Sequence, residues 1–369
     1  MRRTSLTVLV ALLWLLVTAS PASAHTVSGV GATNWQTSLI GVHPAVPGLA
    51  VRVVETGSKL EVSNTGAELV VIGYDGEPYL RVGPHGVFEN LQSPATYLNC
   101  SRAGCTPPSD LQPAGPPEWR QISTGHIARF HDHRIHWMGS QVPPDVRRAP
   151  GQRHERPVWH VQLVQGPTTI DVSGHLTWVP GPSPLPWLLL AVVAAGAALG
   201  AGFLRRWGPP LAALVAVLTV NDVVHSVAIG FSVAAPTWSR VARVLTGSFY
   251  SIIGWVLGAA AVFLLARRRV DGLYAATFAG VSAALFTGVL DLTVLSRSTA
   301  PFDAPMWADR LTVAVSLGLG VGIALGAIVA LRRLPPPPEE PVPPVRALER
   351  GADDPTSAAR ARPRPALEG

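Results

Sequence analysis

The chain has 369 residues, 48% of them apolar and only 14% charged, with a mean hydropathy of +0.29. Soluble proteins carry about 25% charged residues, so part of this chain belongs in lipid. The formal charge of +6 would suit a nucleic-acid partner, but Arg205, Arg206, Arg267, Arg268, Arg269, Arg332 and Arg333 flank apolar runs instead of lining a basic stripe. With no Walker loop and no Gly-x-Gly-x-x-Gly, nucleotide and nucleic-acid chemistry are set aside.

Arg2 and Arg3 precede an apolar stretch over residues 6–17, and Ala22 and Ala24 form an Ala-x-Ala cleavage signal. Residues 1–24 therefore read as a signal peptide, whose removal after Ala24 would leave His25 as the mature N-terminus of an exported domain. Outside the cell, Cys100 and Cys105 are expected to form a disulfide. Two cysteines alone fall short of the four ligands that zinc takes.

Residues 25–180 show short alternating runs broken by turn residues, the pattern of an antiparallel β domain. Leu49, Val51 and Val53 alternate with polar neighbours; so do Leu60 and Val62. Asn64-Thr65-Gly66 and Asp75-Gly76 turn the chain into strands at 69–74 and 79–82. Further strands are expected at 158–164 and 170–179, with Ile170, Val172, Leu176 and Trp178 on one face. Seven or so such strands predict a sandwich-like fold. Two proline-bearing loops, 93–117 and 142–157, interrupt them, the first pinned by the disulfide.

Ten of the eleven histidines lie in this region. Three fall in residues 130–138, which read Phe-His-Asp-His-Arg-Ile-His-Trp-Met. If 127–137 is one strand, His131 and His133 share a face and His136 points to the other. On that footing Asp132 could orient a ring only from a neighbouring strand. Met138 adds a thioether of the kind that suits Cu(I), and a terminal His25 offers its α-amine and ring to square-planar Cu(II). The bland alternatives are a structural hydrogen-bonded network and a pH-responsive cluster. Ser123-Thr124-Gly125-His126 is not a nucleophile elbow and no Gly-x-Ser-x-Gly occurs, so the chain reads as non-enzymatic.

A proline-rich linker at 181–186 leads into five apolar runs at 187–204, 209–231, 244–266, 273–295 and 311–331, each near the ~20 residues that span a bilayer. Arginines close the first, third and fifth runs, which predicts an extracytoplasmic β domain and a cytoplasmic C-terminus. Asn221, Asp222 and His225 in the second run and Asp291 in the fourth are costly in lipid and form a candidate intramembrane polar site. Asp222 and His225 share a helix face, and His225 and Asp291 are expected at similar depth. The roles open to this site are a metal relay, a proton-coupled centre and interhelical packing. Small-residue faces at Gly318, Gly322 and Gly326, and at Gly196 and Gly200, suit close helix approach. The proline- and charge-rich tail, 332–369, reads as disordered.

The His25 terminus and the small exported β domain resemble the CopC copper-resistance family, whose histidine brace opens an exported β-sandwich. In that one residue they also resemble lytic polysaccharide monooxygenases. CopC supplies an Asp-x-His pair, whereas this chain reads His131-Asp132-His133. Tyr74-Asp75-Gly76-Glu77-Pro78-Tyr79 and His131-Asp132-His133-Arg134 resemble stretches of exported-domain, multi-span membrane proteins of high-GC Gram-positive bacteria, a likeness that implies no activity. The layout is similar to CopC–CopD fusions, with fewer spans than CopD.

The expected fold is thus mixed: an exported all-β, sandwich-like domain, a five-span helical transmembrane bundle and a disordered tail. The leading reading is a multi-pass cell-membrane protein whose exported domain binds a transition metal, copper by donor type, through His25, His131, His133, His136 and Met138. The rival reading is a structural or interaction protein of the cell envelope, with an envelope protein or a second copy of itself as partner. A third is a copper-dependent oxidase using His25. The lipid bilayer is the expected surrounding in all three.

Overall fold

Alternation of apolar and polar side chains builds the first half of the fold. The structure is a computed structural model that describes residues 31–101, 104–139 and 141–335. The expected signal peptide, His25 and the tail beyond 335 lie outside the described residues. The strands are β1 (Trp35–His43), β2 (Leu49–Val54), β3 (Lys59–Asn64), β4 (Leu69–Ile72), β5 (Pro78–Gly83), β6 (Gly86–Asn90), β7 (Trp119–Ser123), β8 (Ile127–His131), β9 (His154–Glu155), β10 (Trp159–Gln165) and β11 (Thr168–Trp178). One antiparallel sheet runs β1-β11-β10-β4-β5-β6-β7, with β9 added to β11; the other runs β2-β3-β8.

The alternation places the core where the pattern puts it. Ile170, Val172, Leu176 and Trp178 of β11 are buried with Val71 and Leu163 of the same sheet and with Leu60, Val62 and Phe130 of the smaller one. Two antiparallel sheets sharing one hydrophobic core are the part of the sandwich-like expectation that the structure carries. Asp75-Gly76 turns β4 into β5, and Gly76 takes a positive φ of 83° that residues with a side chain rarely adopt.

The two proline-bearing segments are partly ordered into helix. The first holds α1 (Pro94–Leu98), whose leading Ala95 N–H donates to the Ser93 hydroxyl at 3.2 Å. A Cys100–Cys105 disulfide follows, its Cα atoms 6.0 Å apart. The second holds α2 (Pro144–Arg148) and β9.

The second half comprises α3 (Leu185–Ala201), α4 (Gly208–Phe231), α5 (Thr237–Gly247), α6 (Phe249–Ala266), α7 (Asp271–Ala283), a π-helical continuation of α7 (Ala284–Val289), and α8 (Met306–Arg332). Four of these are long and apolar enough to cross a membrane: α4, α6, α7 with its continuation, and α8. The first of the five expected spans is apolar but forms a helix of only 17 residues, α3. The expected third span is broken at Ser248 (φ −102°, ψ 19°), which separates α5 from α6. In the fourth, regular helix stops at Val289 and Asp291 precedes a 3-10 turn, Leu292–Ser296.

α3 and α8 meet backbone to backbone. A Cβ on Gly318 would lie 2.3 Å from the Ala191 carbonyl oxygen, and one on Gly322 2.4 Å from that of Ala195. Gly326 is similarly placed, 2.6 Å from the Ala198 oxygen. Only hydrogen fits at these positions, as small-residue helix faces require. Gly196 and Gly200, by contrast, have open space where a Cβ would stand, so the α3 side of the contact is made by alanines.

The halves meet at the segment after the 3-10 turn. Thr33 and Thr299 form an antiparallel bridge, Thr33 N–H donating at 2.8 Å and Thr299 N–H returning at 3.0 Å. Beside it, Ser298 N–H donates to Asn34 Oδ1 at 2.9 Å.

Because a backbone atom blocks any side chain at Gly322, Gly322→Leu should destabilise the protein by ~1–3 kcal/mol or more through overpacking. Gly196→Leu should change stability by less than about 0.5 kcal/mol. Thermal unfolding of both variants in the same detergent checks the contrast.

Candidate functional site: clustered histidines and a buried polar network

The first site forms where β8 stops. His131 is the last strand residue, and Asp132 then turns the chain. Its carboxylate accepts from the Arg134 backbone N–H at 2.9 Å, and Ile135 N–H donates to the Asp132 carbonyl at 3.3 Å. Period-two alternation ends there, so the expectation that His136 faces away from His131 fails. The turn swings His136 back until its ring centre lies 4.3 Å from that of His131. The His131–His133 and His133–His136 ring centres are 5.2 Å and 5.8 Å apart.

Asp132 is fully buried, and Arg134 satisfies it. Nε donates to Oδ1 at 2.9 Å and Nη2 to Oδ2 at 2.6 Å, while the guanidinium also reaches the Ile72 carbonyl at 3.2 Å. Asp132 thus holds the Arg134 guanidinium. Burial alone would lower the Arg134 pKa, but the hydrogen bond and charge of Asp132 hold it above the usual value.

Tyr74 closes the site, with Arg134 lying 4.9 Å over its ring. Its hydroxyl accepts the His133 backbone N–H at 2.9 Å and donates to Asn99 Oδ1 at 2.5 Å. Burial, aided by the negative charge of Asp132, pushes the Tyr74 hydroxyl above its ordinary pKa. Asn99 immediately precedes the disulfide, which explains why that loop matters here. Ile135 is fully buried and its carbonyl accepts from Thr37 Oγ1 at 2.5 Å, while Trp137 stacks on Trp35 with ring centres 5.0 Å apart. Met138 is 42% exposed, and His25 is outside the described residues.

The second site lies among the helices. His225 of α4 is almost fully buried and contacts Asp291 Oδ2 through Nε2 at 3.1 Å. Its Nδ1 is 2.9 Å from Thr312 Oγ1 and 3.5 Å from Asp309 Oδ1, both on α8. One turn earlier on α4, Asp222 accepts from Trp255 Nε1 of α6 at 2.7 Å and from the Thr287 hydroxyl. Asn221 Nδ2 donates to the Thr312 carbonyl at 3.0 Å and to Ser316 Oγ at 2.9 Å. The structure therefore brings Asn221, Asp222, His225 and Asp291 into one region, His225 directly against Asp291.

Asp309 was not singled out from the sequence because it precedes the apolar run at 311–331. Helix α8 begins at Met306, which puts Asp309 in its first turn. An acidic residue one turn before Thr312 was the available signal. Tyr74, Asn99 and Arg134 were likewise not selected, and they join the histidine site through folds of the chain that no local pattern encodes.

No protein-family model, no curated protein and no solved structure matches this chain.

Removing Arg134 leaves Asp132 as an unpaired buried carboxylate. Arg134→Ala should therefore cost ~3–5 kcal/mol of stability, and adding Asp132→Asn should recover part of the loss. Denaturant unfolding followed by tryptophan fluorescence measures both.

Proposed function

We propose that this is an integral membrane protein whose β domain holds or senses a transition metal, copper by donor type, at His131, His133 and His136. The observation that carries this reading is the gathering of three imidazole rings with centres 4.3–5.8 Å apart. Around a tetrahedral ion with metal–nitrogen distances of ~2.0–2.1 Å, imidazole centres fall about 5 Å apart. Nε2 of His133 is buried and meets no hydrogen-bond partner among the described residues, which is uncommon for a buried polar atom.

The spacing of the rings fits a metal; their present orientation does not. Among the described residues no three His, Cys, Asp or Glu side chains are arranged to hold a metal ion. Binding in this reading therefore turns the imidazoles about their side-chain torsions and draws a further ligand from elsewhere, with His25 and Met138 as the proposed sources. Imidazole suits copper and zinc alike, and the thioether of Met138 favours Cu(I). Residence in a membrane is supported by the four long apolar helices.

Titration of the full-length protein in detergent with Cu(II), and with Cu(I) under reducing conditions, tests the reading. Binding tighter than micromolar is expected, weakened at least ~10-fold, or ~1.4 kcal/mol, by His133→Ala. A smaller loss in His25→Ala would assign the terminus a share of the site. No binding tighter than micromolar in either oxidation state sinks the reading and leaves the rival, a β domain that contacts an envelope partner.

A further inference from the structure

The hydrogen bonds around His225 fix how many protons its surroundings must hold. Thr312 Oγ1 lies 2.8 Å from the Asp309 backbone carbonyl. A carbonyl can only accept, so the hydroxyl hydrogen is committed there. The same oxygen, 2.9 Å from His225 Nδ1, must therefore accept, and Nδ1 carries a proton. That leaves Nε2, 3.1 Å from Asp291 Oδ2. A neutral ring protonated on Nδ1 presents only a lone pair at Nε2, and an ionised carboxylate presents only lone pairs as well. The contact is attractive only with one more proton between them, as imidazolium facing carboxylate or imidazole facing carboxylic acid.

We propose that His225 and Asp291 form a proton-binding site holding this additional proton, with Asp309 as a second acceptor beside the ring. The groups facing it support that assignment. From α4 comes Asp222; from α8 come Asp309 and Thr312, with Arg310 acting on Asp309; from the connecting segment come Asp291 and the Phe302 ring, its centre 5.8 Å away. The neighbours of Asp222, Trp255 and Thr287, are neutral donors. Arg310 donates through Nη2 to the Arg297 carbonyl at 2.8 Å, so its guanidinium is drawn toward the connecting segment. Three carboxylates thus surround one imidazole in an apolar bundle, where uncompensated negative charge is costly. A bound proton lowers that charge by one. Asp291 is the entrance, because its side chain is 17% exposed while those of His225 and Asp309 are only 2% and 3% exposed.

Asp291→Asn provides the test, since an asparagine amide donates its own N–H to Nε2 and keeps the contact without the extra proton. Wild type and Asp291→Asn, each full length in detergent, are titrated from neutral to alkaline pH. Wild type should release one proton per chain more than the variant. Its infrared difference spectrum should lose an imidazolium or carboxylic-acid band that is absent from both Asp291→Asn and His225→Gln. Superimposable titration curves from two folded proteins would overturn the proposal. If Asp291→Asn does not fold, wild type against His225→Gln decides: a protonated-form band bleached by alkali in wild type and missing from His225→Gln supports the site, and coincident spectra refute it.

Discussion

His225 is gripped from two sides by carboxylates that open and close a single connecting segment, and much of the fold's geometry follows from that grip. Asp291 sits where the α7 region ends, and Asp309 sits in the first turn of α8. Between them the chain leaves the helices, and Asp303 N–H donates to the Ala228 carbonyl of α4 at 3.1 Å. The same segment then meets the β domain through Ser298–Asn34 and the Thr33–Thr299 bridge. Asn34 in turn accepts the Val179 N–H at 2.8 Å. Both chain ends of the β domain are therefore gathered over one connector, whose own ends converge on one imidazole.

The histidine cluster depends on an equally local event, the termination of β8. An unbroken strand would have sent His136 to the opposite face. Asp132 prevents this by bonding the turn's own backbone and by fixing Arg134 against the Ile72 carbonyl. Tyr74 seals the arrangement from the β4–β5 turn, and Asn99 holds Tyr74 from the disulfide-pinned loop. β1 links the two regions physically. Its residues lie next to the bridge at Thr33 and reach the cluster through Thr37 and through Trp35 stacked on Trp137.

What could be read from the sequence was what depends on short-range periodicity. Alternation located β2, β3, β5, β10 and β11 to within a residue or two, and hydropathy located the apolar helices, because both patterns record burial directly. Span length was less legible: α3 stops short and the third run divides at Ser248, since hydropathy does not register where backbone hydrogen bonding breaks. β6 and β7 were hidden because glycine and mixed polar residues blur their alternation. The same limit governed the sites. His225 and Asp291 could be matched by depth along two apolar runs, whereas Asp309 lay outside the expected span. Gly318, Gly322 and Gly326 declared a packing face correctly. Gly196 and Gly200 carry the same spacing but meet open space, because spacing identifies a face without identifying what covers it.

The two histidine sites differ in which groups their nearby carboxylates face. Beside the β-domain cluster, Asp132 is paired with the Arg134 guanidinium. Among the helices the assignment is reversed. Asp291 and Asp309 face His225, and the guanidinium of Arg310, next to Asp309 in the chain, donates to a backbone carbonyl. In the proposed proton site the compensating proton lies between that imidazole and Asp291, on either partner. The two sites share a side-chain type and differ in what their carboxylates face: a guanidinium beside the β-domain cluster, an imidazole among the helices.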